Sequence, residues 1–169
     1  ILLDAIQLIS NELPVKGIFA HPPKRKFPRE TLAYLGMIHQ KYRSSNITFR
    51  EDVIYDSNAP EFFSSLSVAV IPRRSTKINN VATPSKLFDS MAAGRPLVVT
   101  DLDEQAKIVK KYNCGLVCEP NSKDMAEKIT ILLKDKNLSA KMGENGRKAA
   151  VSDHNWSIRA KTIISNVFN

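Results

Sequence analysis

The sequence predicts an α/β fold, a doubly wound parallel sheet with helices on both of its faces. Helical and strand-like patterns alternate along the chain, which is typical of a parallel sheet. The strand-like runs are short and apolar, as in "SVAVIP" and "PLVVT", and strands of that kind are buried on both faces. Hydrophobic residues make up 43% of the 169 residues and charged residues 25%, which indicates a globular rather than a disordered or fibrous chain.

The helices are predicted from apolar residues at helical spacing, and the strands from short apolar runs. Apolar residues from Leu2 to Leu13 define the first helix, which ends before Pro14. Ser122 is the predicted N-cap of an amphipathic helix further along. The predicted helices are residues 2–13, 28–42, 58–66, 84–93, 104–112, 122–135, 137–150 and 155–168. The predicted strands are residues 15–20, 46–51, 67–72, 96–100 and 115–119.

One domain is expected over residues 1–169, because this length suits a single domain and no repeat or linker stands out. The pattern opens on a helix, whereas a doubly wound half-sheet normally opens on a strand and a glycine-rich turn. We therefore expect a first strand, with any phosphate-binding turn attached to it, to precede Ile1. The chain does not begin with Met, which indicates a fragment or a processed product.

The formal net charge of +8 is compatible with nucleic acid, an anionic membrane surface or a phosphate-bearing ligand. The densest basic cluster, "PPKRKFPRE" at 22–30, lacks the interleaved aromatic platform on which bases stack, so nucleic acid is disfavoured. The apolar runs are too short to span a membrane, and no secretory signal is visible. Two cysteines do not make a disulfide scaffold, which favours the reducing cytoplasm.

No metal or cofactor is expected. Cys114 and Cys118 lack a second nearby pair of ligands of the kind that a zinc site needs, so core or surface roles are favoured. His21 follows the strand at 15–20, which places it at the ligand end of the sheet. Trp156 is expected to anchor the terminal helices.

The segment at 81–100, "VATPSKLFDSMAAGRPLVVT", contains a short helix that divides sharply into two faces. Thr83 is the expected N-cap, with Pro84 at the first helical position. Gly94 is expected to end the helix in a left-handed conformation, and Pro96 prevents its continuation. At about 100° per residue, one arc is apolar and the other mostly polar. The apolar arc comprises Leu87, Phe88, Met91 and Ala92, and the polar arc Ser85, Lys86, Asp89, Ser90 and Ala93.

This polar arc is the first candidate binding site. Ligands of open α/β sheets lie beyond the carboxyl ends of the strands, where helix N-termini offer amide groups to anions. Ser85 and Lys86 lie in the first turn, which suits a phosphate. Asp89 lies one turn deeper, and a carboxylate can accept two hydrogen bonds from neighbouring sugar hydroxyls. The alternative is a solvated helix face with a Lys86–Asp89 pair at i, i+3.

The stretch "PSKLFDSMAAGRPLVVT" resembles the carboxyl-terminal half of the GT-B glycosyltransferases of family four, "glycosyl transferases group 1". That family usually has a carboxylate followed by "AMA-G-PVV". The segments "GLVCEP", "LLKD", "KMGENGR" and "NWS" follow in the family's order, and "NITFREDV" and "FFSSLSVAVIP" fit the strands that precede it, so the resemblance covers nearly the whole chain. It implies a Rossmann-like domain that binds a nucleotide-diphosphate sugar.

The resemblance also implies roles for individual residues. Asp89 aligns with the second residue of the family's acidic pair, which contacts the ribose, and Thr83 lies at the diphosphate end of the same segment. The first acidic position, near the donor sugar, falls at Val81, where valine cannot do that work. The family usually has a glycine-rich turn after the strand at 15–20, so the resemblance implies that His21 lines the crevice. No catalytic residue is identified.

Four further residues are candidates for donor binding. The turn after the strand at 46–51 would hold the nucleotide base, which makes Val53 and Ile54 candidates, although a plain strand exit is the alternative for each. Arg73 and Arg74 follow the strand that faces the crevice. They would neutralise the diphosphate, or else remain solvated.

The resemblance implies the donor-binding domain of a hexosyl-type glycosyltransferase, acting with retention on an acceptor hydroxyl in polysaccharide or glycolipid synthesis. The acceptor site would lie in an amino-terminal GT-B domain, so this chain alone is expected to be inactive. A cytoplasmic location is expected, with peripheral contact to an anionic inner membrane face or a lipid-linked acceptor. Two alternatives stay open. One is a non-catalytic α/β assembly module, favoured by Val81, and the other a nucleotide-sugar epimerase of the same fold.

Overall fold

A computed structural model of the chain describes residues 1–21, 27–43, 46–51 and 58–168. The helices are α1 Leu2–Ser10, α2 Arg29–Lys41, α3 Ala59–Ser65, α4 Lys77–Val81, α5 Ser85–Ala92, α6 Asp103–Tyr112, α7 Ser122–Lys134, α8 Lys136–Ser152 and α9 Trp156–Phe168. The strands are β1 Gly17–Ala20, β2 Ile47–Arg50, β3 Ala69–Ile71, β4 Leu97–Thr100 and β5 Gly115–Cys118.

The described strands pair in parallel, which confirms the predicted α/β class. β1 pairs with β2, and β4 lies between β3 and β5. In the second sheet Ala69 lies opposite Leu97, and Val99 lies opposite Val117. The described strands thus form two sheets rather than one continuous sheet, and a cavity separates β1 from β3.

The core lies on both faces of β4, because every residue of this strand is buried. Successive side chains of a strand point to opposite faces of its sheet. Leu97 and Val99 accordingly join the cluster formed with α5 and α8, whereas Val98 joins the cluster formed with α1 and α7. Full burial of each such side chain contributes about 1.5–3 kcal/mol. These two clusters confirm that helices cover both faces of the sheet.

Two predicted N-caps are wrong by one residue. The N-cap of α5 is Pro84 rather than Thr83, because Pro84 has an extended backbone with ψ of 134° and the helix starts after it. The N-cap of α7 is Asn121 rather than Ser122. The Asn121 side-chain oxygen accepts a hydrogen bond from the Asp124 amide at 2.9 Å, which satisfies one of the open donors of the first turn.

Two features of the structure differ from the prediction, the helix α4 and the environment of Trp156. α4 has five residues and starts at the N-cap Thr76, whose hydroxyl accepts a hydrogen bond from the Asn79 amide at 3.0 Å. Five residues are too few to show a helical period of apolar positions. Trp156 is 84% exposed, so the expectation that it anchors the terminal helices is wrong. The remaining bounds differ from the predicted ones by three residues or fewer.

α5 and α8 meet where two backbones come very close. Gly94 follows α5 with a φ of +66°, which confirms the predicted left-handed turn. A β-carbon at Gly143 in α8 would overlap the carbonyl oxygen of Gly94. Arg147 of α8 also donates a hydrogen bond to the Ala92 carbonyl at the end of α5. α8 therefore fixes the carboxyl end of α5.

Candidate functional site

The candidate site lies where β3 and β4 end and α5 begins. β3 and β4 are parallel neighbours, so both carboxyl ends lie at one edge of the sheet. The chain from β3 passes through α4 and returns to that edge at Pro84, the N-cap of α5. In open α/β sheets this edge is where ligands bind.

The two faces of α5 confirm most of the predicted division. Leu87 and Met91 are fully buried in the core, whereas Ser85 and Lys86 are exposed. Ser90 is an exception, because it is only 1% exposed and does not belong to the solvent-facing arc. Its hydroxyl donates a hydrogen bond to the Lys86 carbonyl at 2.7 Å. A serine that bonds the carbonyl four residues earlier has a satisfied hydroxyl, which allows it to be buried.

The first turn of α5 is suited to an anion. The leading amides of a helix have no acceptor within the helix and carry the positive end of its dipole. The exposed side chains of Ser85 and Lys86 stand at this turn, and Thr83 lies half-buried two residues before it. The turn therefore combines open backbone donors with a hydroxyl and an ammonium group, a set that can bind phosphate oxygens.

Asp89 lies one turn further along α5 and is half-buried. Its partial burial raises the pKa of its carboxyl, and the ammonium charge of Lys86 opposes that rise. A carboxylate that has lost part of its hydration gains more from a new hydrogen-bond donor than a fully solvated one does. Asp89 is thus placed to accept hydrogen bonds from a hydroxyl-bearing ligand that lies along α5.

Arg73 and Arg74, which are adjacent in the sequence, have different side-chain environments. The guanidinium of Arg73 donates hydrogen bonds to the Ala82 carbonyl and, at 2.6 Å, to the Asn79 side-chain oxygen. The Arg74 side chain is exposed. No sequence pattern predicts these bonds of Arg73, because they depend on α4, whose five residues give no helical signal.

A cavity of about 810 Å³ opens beside the candidate site, between β1 and β3. Residues of both strands line it, and so do His21, Arg73 and Lys86. His21 is 6% exposed, and its ring centroid lies 5.6 Å from that of His39. The expectation that His21 lines a crevice is confirmed.

Two candidate residues lie outside the described part of the chain. Val53 and Ile54, predicted beside a nucleotide base, fall within the gap at 52–57. Their assignment stays a prediction. The strand that leads to them is present as β2, which ends at Arg50 beside Ala20 of β1.

The cysteines are core residues, which agrees with the predicted core or surface role. Cys114 is fully buried and Cys118 is 2% exposed, and burial raises the pKa of each thiol to about 11. Within the described ranges, no three His, Cys, Asp or Glu side chains cluster in a way that could hold a metal ion. In the same ranges, no helix has both the length and the apolar character needed to cross a bilayer.

The fold matches one half of a GT-B glycosyltransferase. Sucrose-phosphate synthase from Thermosynechococcus elongatus superimposes on 98% of this chain with a TM-score of 0.77 and 17% identity. HepE from Anabaena, in complex with UDP, superimposes on 98% of the chain with a TM-score of 0.82 and 15% identity. The chain spans 42% of the first protein and 43% of the second.

Residues 37–149 match the family "Glycosyl transferases group 1", and the chain belongs to that family. The resemblance drawn from the segment at 84–100 is therefore confirmed. Among curated proteins, a 53-residue stretch is 32% identical to the protein named as the teichuronic acid biosynthesis glycosyltransferase TuaH of Bacillus subtilis (strain 168). That stretch covers 31% of this chain and 13% of TuaH.

Proposed function

We propose that this chain is the donor-binding half of a glycosyltransferase that moves a hexosyl group from a nucleotide-diphosphate sugar to an acceptor hydroxyl. The observation that carries the proposal is the exposed polar face of α5, with Lys86 and Asp89 at the ligand edge of the sheet. Membership of the family supports it, and HepE, a protein of the same fold, is described in complex with UDP.

In this proposal α5 binds the nucleotide along its length. The first-turn amides, Thr83, Ser85 and Lys86 hold the diphosphate, and Arg74 at the same edge adds a positive charge. These groups would stabilise the negative charge that develops on the leaving diphosphate. Asp89 accepts hydrogen bonds from the ribose hydroxyls, and Val53 and Ile54 flank the base.

Retention at the transferred sugar and a role in polysaccharide or glycolipid synthesis belong to the same proposal, and family membership supports both. A cytoplasmic location with peripheral contact to an anionic membrane or lipid-linked acceptor also belongs to it. The net charge of +8 supports that contact, because basic surfaces are attracted to anionic lipids.

We also propose that the domain is completed by one more strand and is joined to an amino-terminal acceptor domain. Among the described residues, no strand pairs with the second edge of β1 or of β3. The cavity between these edges is lined by Ile6 and Ile9 of α1 and by Phe62 and Phe63 of α3. An apolar slot with helices on both sides and parallel strands at both edges suits a strand of four or five residues, which would span about 13–17 Å.

The polypeptide joined to the start of α1 is the proposed source of that strand, because Leu2 also lines the cavity. Hydrogen exchange on a polypeptide that continues upstream of Ile1 tests the idea. We expect the amides of β1 and β3 to become strongly protected relative to the 169-residue chain. Equal protection in both polypeptides would contradict a completing strand.

Nucleotide binding is tested by titrating the protein with UDP, GDP and ADP and following amide chemical shifts. We expect shifts within residues 83–90 for at least one nucleotide. Asp89→Asn should weaken the binding of that nucleotide roughly tenfold or more, because a hydrogen bond to a charged group contributes about 1.5–3 kcal/mol. Glu127→Gln, which removes a carboxylate that is 64% exposed on α7, is the matched control and should bind as the wild type does.

Two results would count against the proposal. No shift within residues 83–90 with any nucleotide would favour a non-catalytic assembly module. Wild-type affinity in Asp89→Asn, with binding otherwise intact, would show that the ribose is held elsewhere.

A further inference from the structure

We infer that Arg73 is a positioning residue, which holds the start of α5 in place for the nucleotide rather than contacting its diphosphate. This inference rests on the proposed function, because it concerns the geometry of the same site. It divides the two neighbouring arginines into different roles, since Arg74 is exposed and makes no comparable pair of bonds among those described.

The main chain of Arg73 is fastened to the end of β4. Its carbonyl accepts a hydrogen bond from the Thr100 hydroxyl at 2.8 Å. The side-chain amide of Gln105 donates to the Thr100 carbonyl at 2.7 Å and to the Thr100 hydroxyl at 3.0 Å. Thr100 and Gln105 are both buried, so these bonds are shielded from water. The backbone at Arg73 is therefore a fixed point on the sheet edge.

The guanidinium of Arg73 reaches forward from this fixed point to the segment that leads into α5. One nitrogen donates to the carbonyl of Ala82, two residues before the N-cap Pro84. Another donates to the side-chain oxygen of Asn79 at 2.6 Å, and the Asn79 side-chain nitrogen donates to the Arg74 carbonyl at 2.8 Å. The guanidinium thus ties both α4 and the entry to α5 back to the sheet.

Apolar packing contributes little to holding this segment. The two large apolar side chains of α4, Ile78 and Val81, are 74% and 77% exposed. A five-residue helix that leaves these side chains in water gains little from burial, so its position depends on polar bonds. Arg73 supplies two of them from two nitrogens of one rigid planar group. Lysine cannot reproduce this geometry, because its three N–H donors all extend from a single nitrogen atom.

The test separates positioning from charge with three variants. Arg73→Lys keeps the positive charge but loses the planar guanidinium, and Arg73→Gln loses both. Lys77→Gln removes one exposed charge from the same segment and leaves the hydrogen bonds of Arg73 in place. We expect both Arg73 variants to bind about tenfold more weakly the nucleotide, among UDP, GDP and ADP, that the wild type binds, a change equal to about 1.4 kcal/mol. Lys77→Gln should change it by no more than about twofold.

A second readout needs no ligand. Hydrogen exchange of the amides at 79–86 should be faster in both Arg73 variants, and in Asn79→Ala, than in the wild type or in Lys77→Gln. Full binding by Arg73→Lys together with a loss in Arg73→Gln would overturn the inference, since charge alone would then suffice. Unchanged exchange at 79–86 would overturn it as well. If the wild type binds no nucleotide, the proposed function fails, and the exchange data alone decide whether Arg73 positions the segment.

Discussion

Gly143→Ala adds a single methyl group at the contact between α8 and α5. The new β-carbon would overlap the carbonyl oxygen of Gly94 and would lie 3.6 Å from the Pro96 ring. The clash is with backbone, so no side-chain rotation can relieve it. The N–H of the same peptide group, on Arg95, donates a hydrogen bond to the Ser90 carbonyl at 3.0 Å, so turning the Gly94 carbonyl away would break that bond. The two helices must therefore separate.

The expected magnitude follows from two opposed effects. Overfilling a packed contact costs about 1–3 kcal/mol, and a backbone clash belongs to the upper part of that range. Replacing a helical glycine by alanine stabilises by about 0.5–1 kcal/mol. The net prediction is a loss of about 2 kcal/mol. Gly36→Ala is the matched control, because a β-carbon at Gly36 in α2 would meet nothing within 4 Å. This control should gain about 0.5–1 kcal/mol.

Urea and thermal unfolding of the two variants measure the difference. For a chain of this length, 1 kcal/mol corresponds to about 2–4 °C in Tm, so the variants should lie on opposite sides of the wild type. Because α5 would shift, Gly143→Ala should also move the amide resonances of Lys86 and Asp89, which Gly36→Ala should leave in place. Equal stability of the two variants would refute the argument that the backbones of α5 and α8 meet at Gly143.

Two further predictions concern ionisable groups. The Tyr42 hydroxyl donates a hydrogen bond to Asp4 at 2.6 Å, the largest cause that lowers the pKa of that carboxyl to about 2. The ionised Asp4 carboxylate therefore stabilises the folded state above about pH 4, and this contribution is lost as the pH falls toward 2. Because Asp4 is 43% exposed, solvent screening keeps the contribution small. Tyr42→Phe should raise the pKa of Asp4 in an NMR titration, and an unchanged titration would contradict this. Burial raises the pKa of Cys114 and Cys118 to about 11, so iodoacetamide at pH 8 should alkylate them only after unfolding. Equal alkylation rates in the folded and unfolded protein would show that the thiols are accessible.

The strands and most helices could be predicted because the hydrophobic pattern that specifies each element lies within its own residues. The short apolar run at 96–100 predicts a buried strand, and its alternate side chains enter the two core clusters. The apolar and polar faces of α5 could likewise be predicted, from the helical spacing of its apolar residues. Ser90 could not be assigned this way, because its burial depends on a hydrogen bond that spacing does not reveal.

The support around the site could not be predicted, because it joins residues that only the fold brings together. The bonds from Arg73 to Asn79 and Ala82 need α4 in place, and the bond from Thr100 to Arg73 needs β3 beside β4. The sequence places both arginines after a strand and offers no signal that distinguishes them. Side-chain roles of this kind depend on tertiary geometry rather than on local pattern.

Val81 stands where the family resemblance places an acidic residue, and it is 77% exposed on α4. Packing of the core therefore does not require valine there. In the proposed function the phosphate and ribose contacts come from α5 and from Thr83 and Arg74 beside it, with none from Val81. α5 is held at its start by the segment that Arg73 fastens, and at its end by the contact between Gly94 and Gly143. Because neither contact is proposed to touch the ligand, loss of nucleotide binding on perturbing either would identify the placement of α5 as the property on which the site depends.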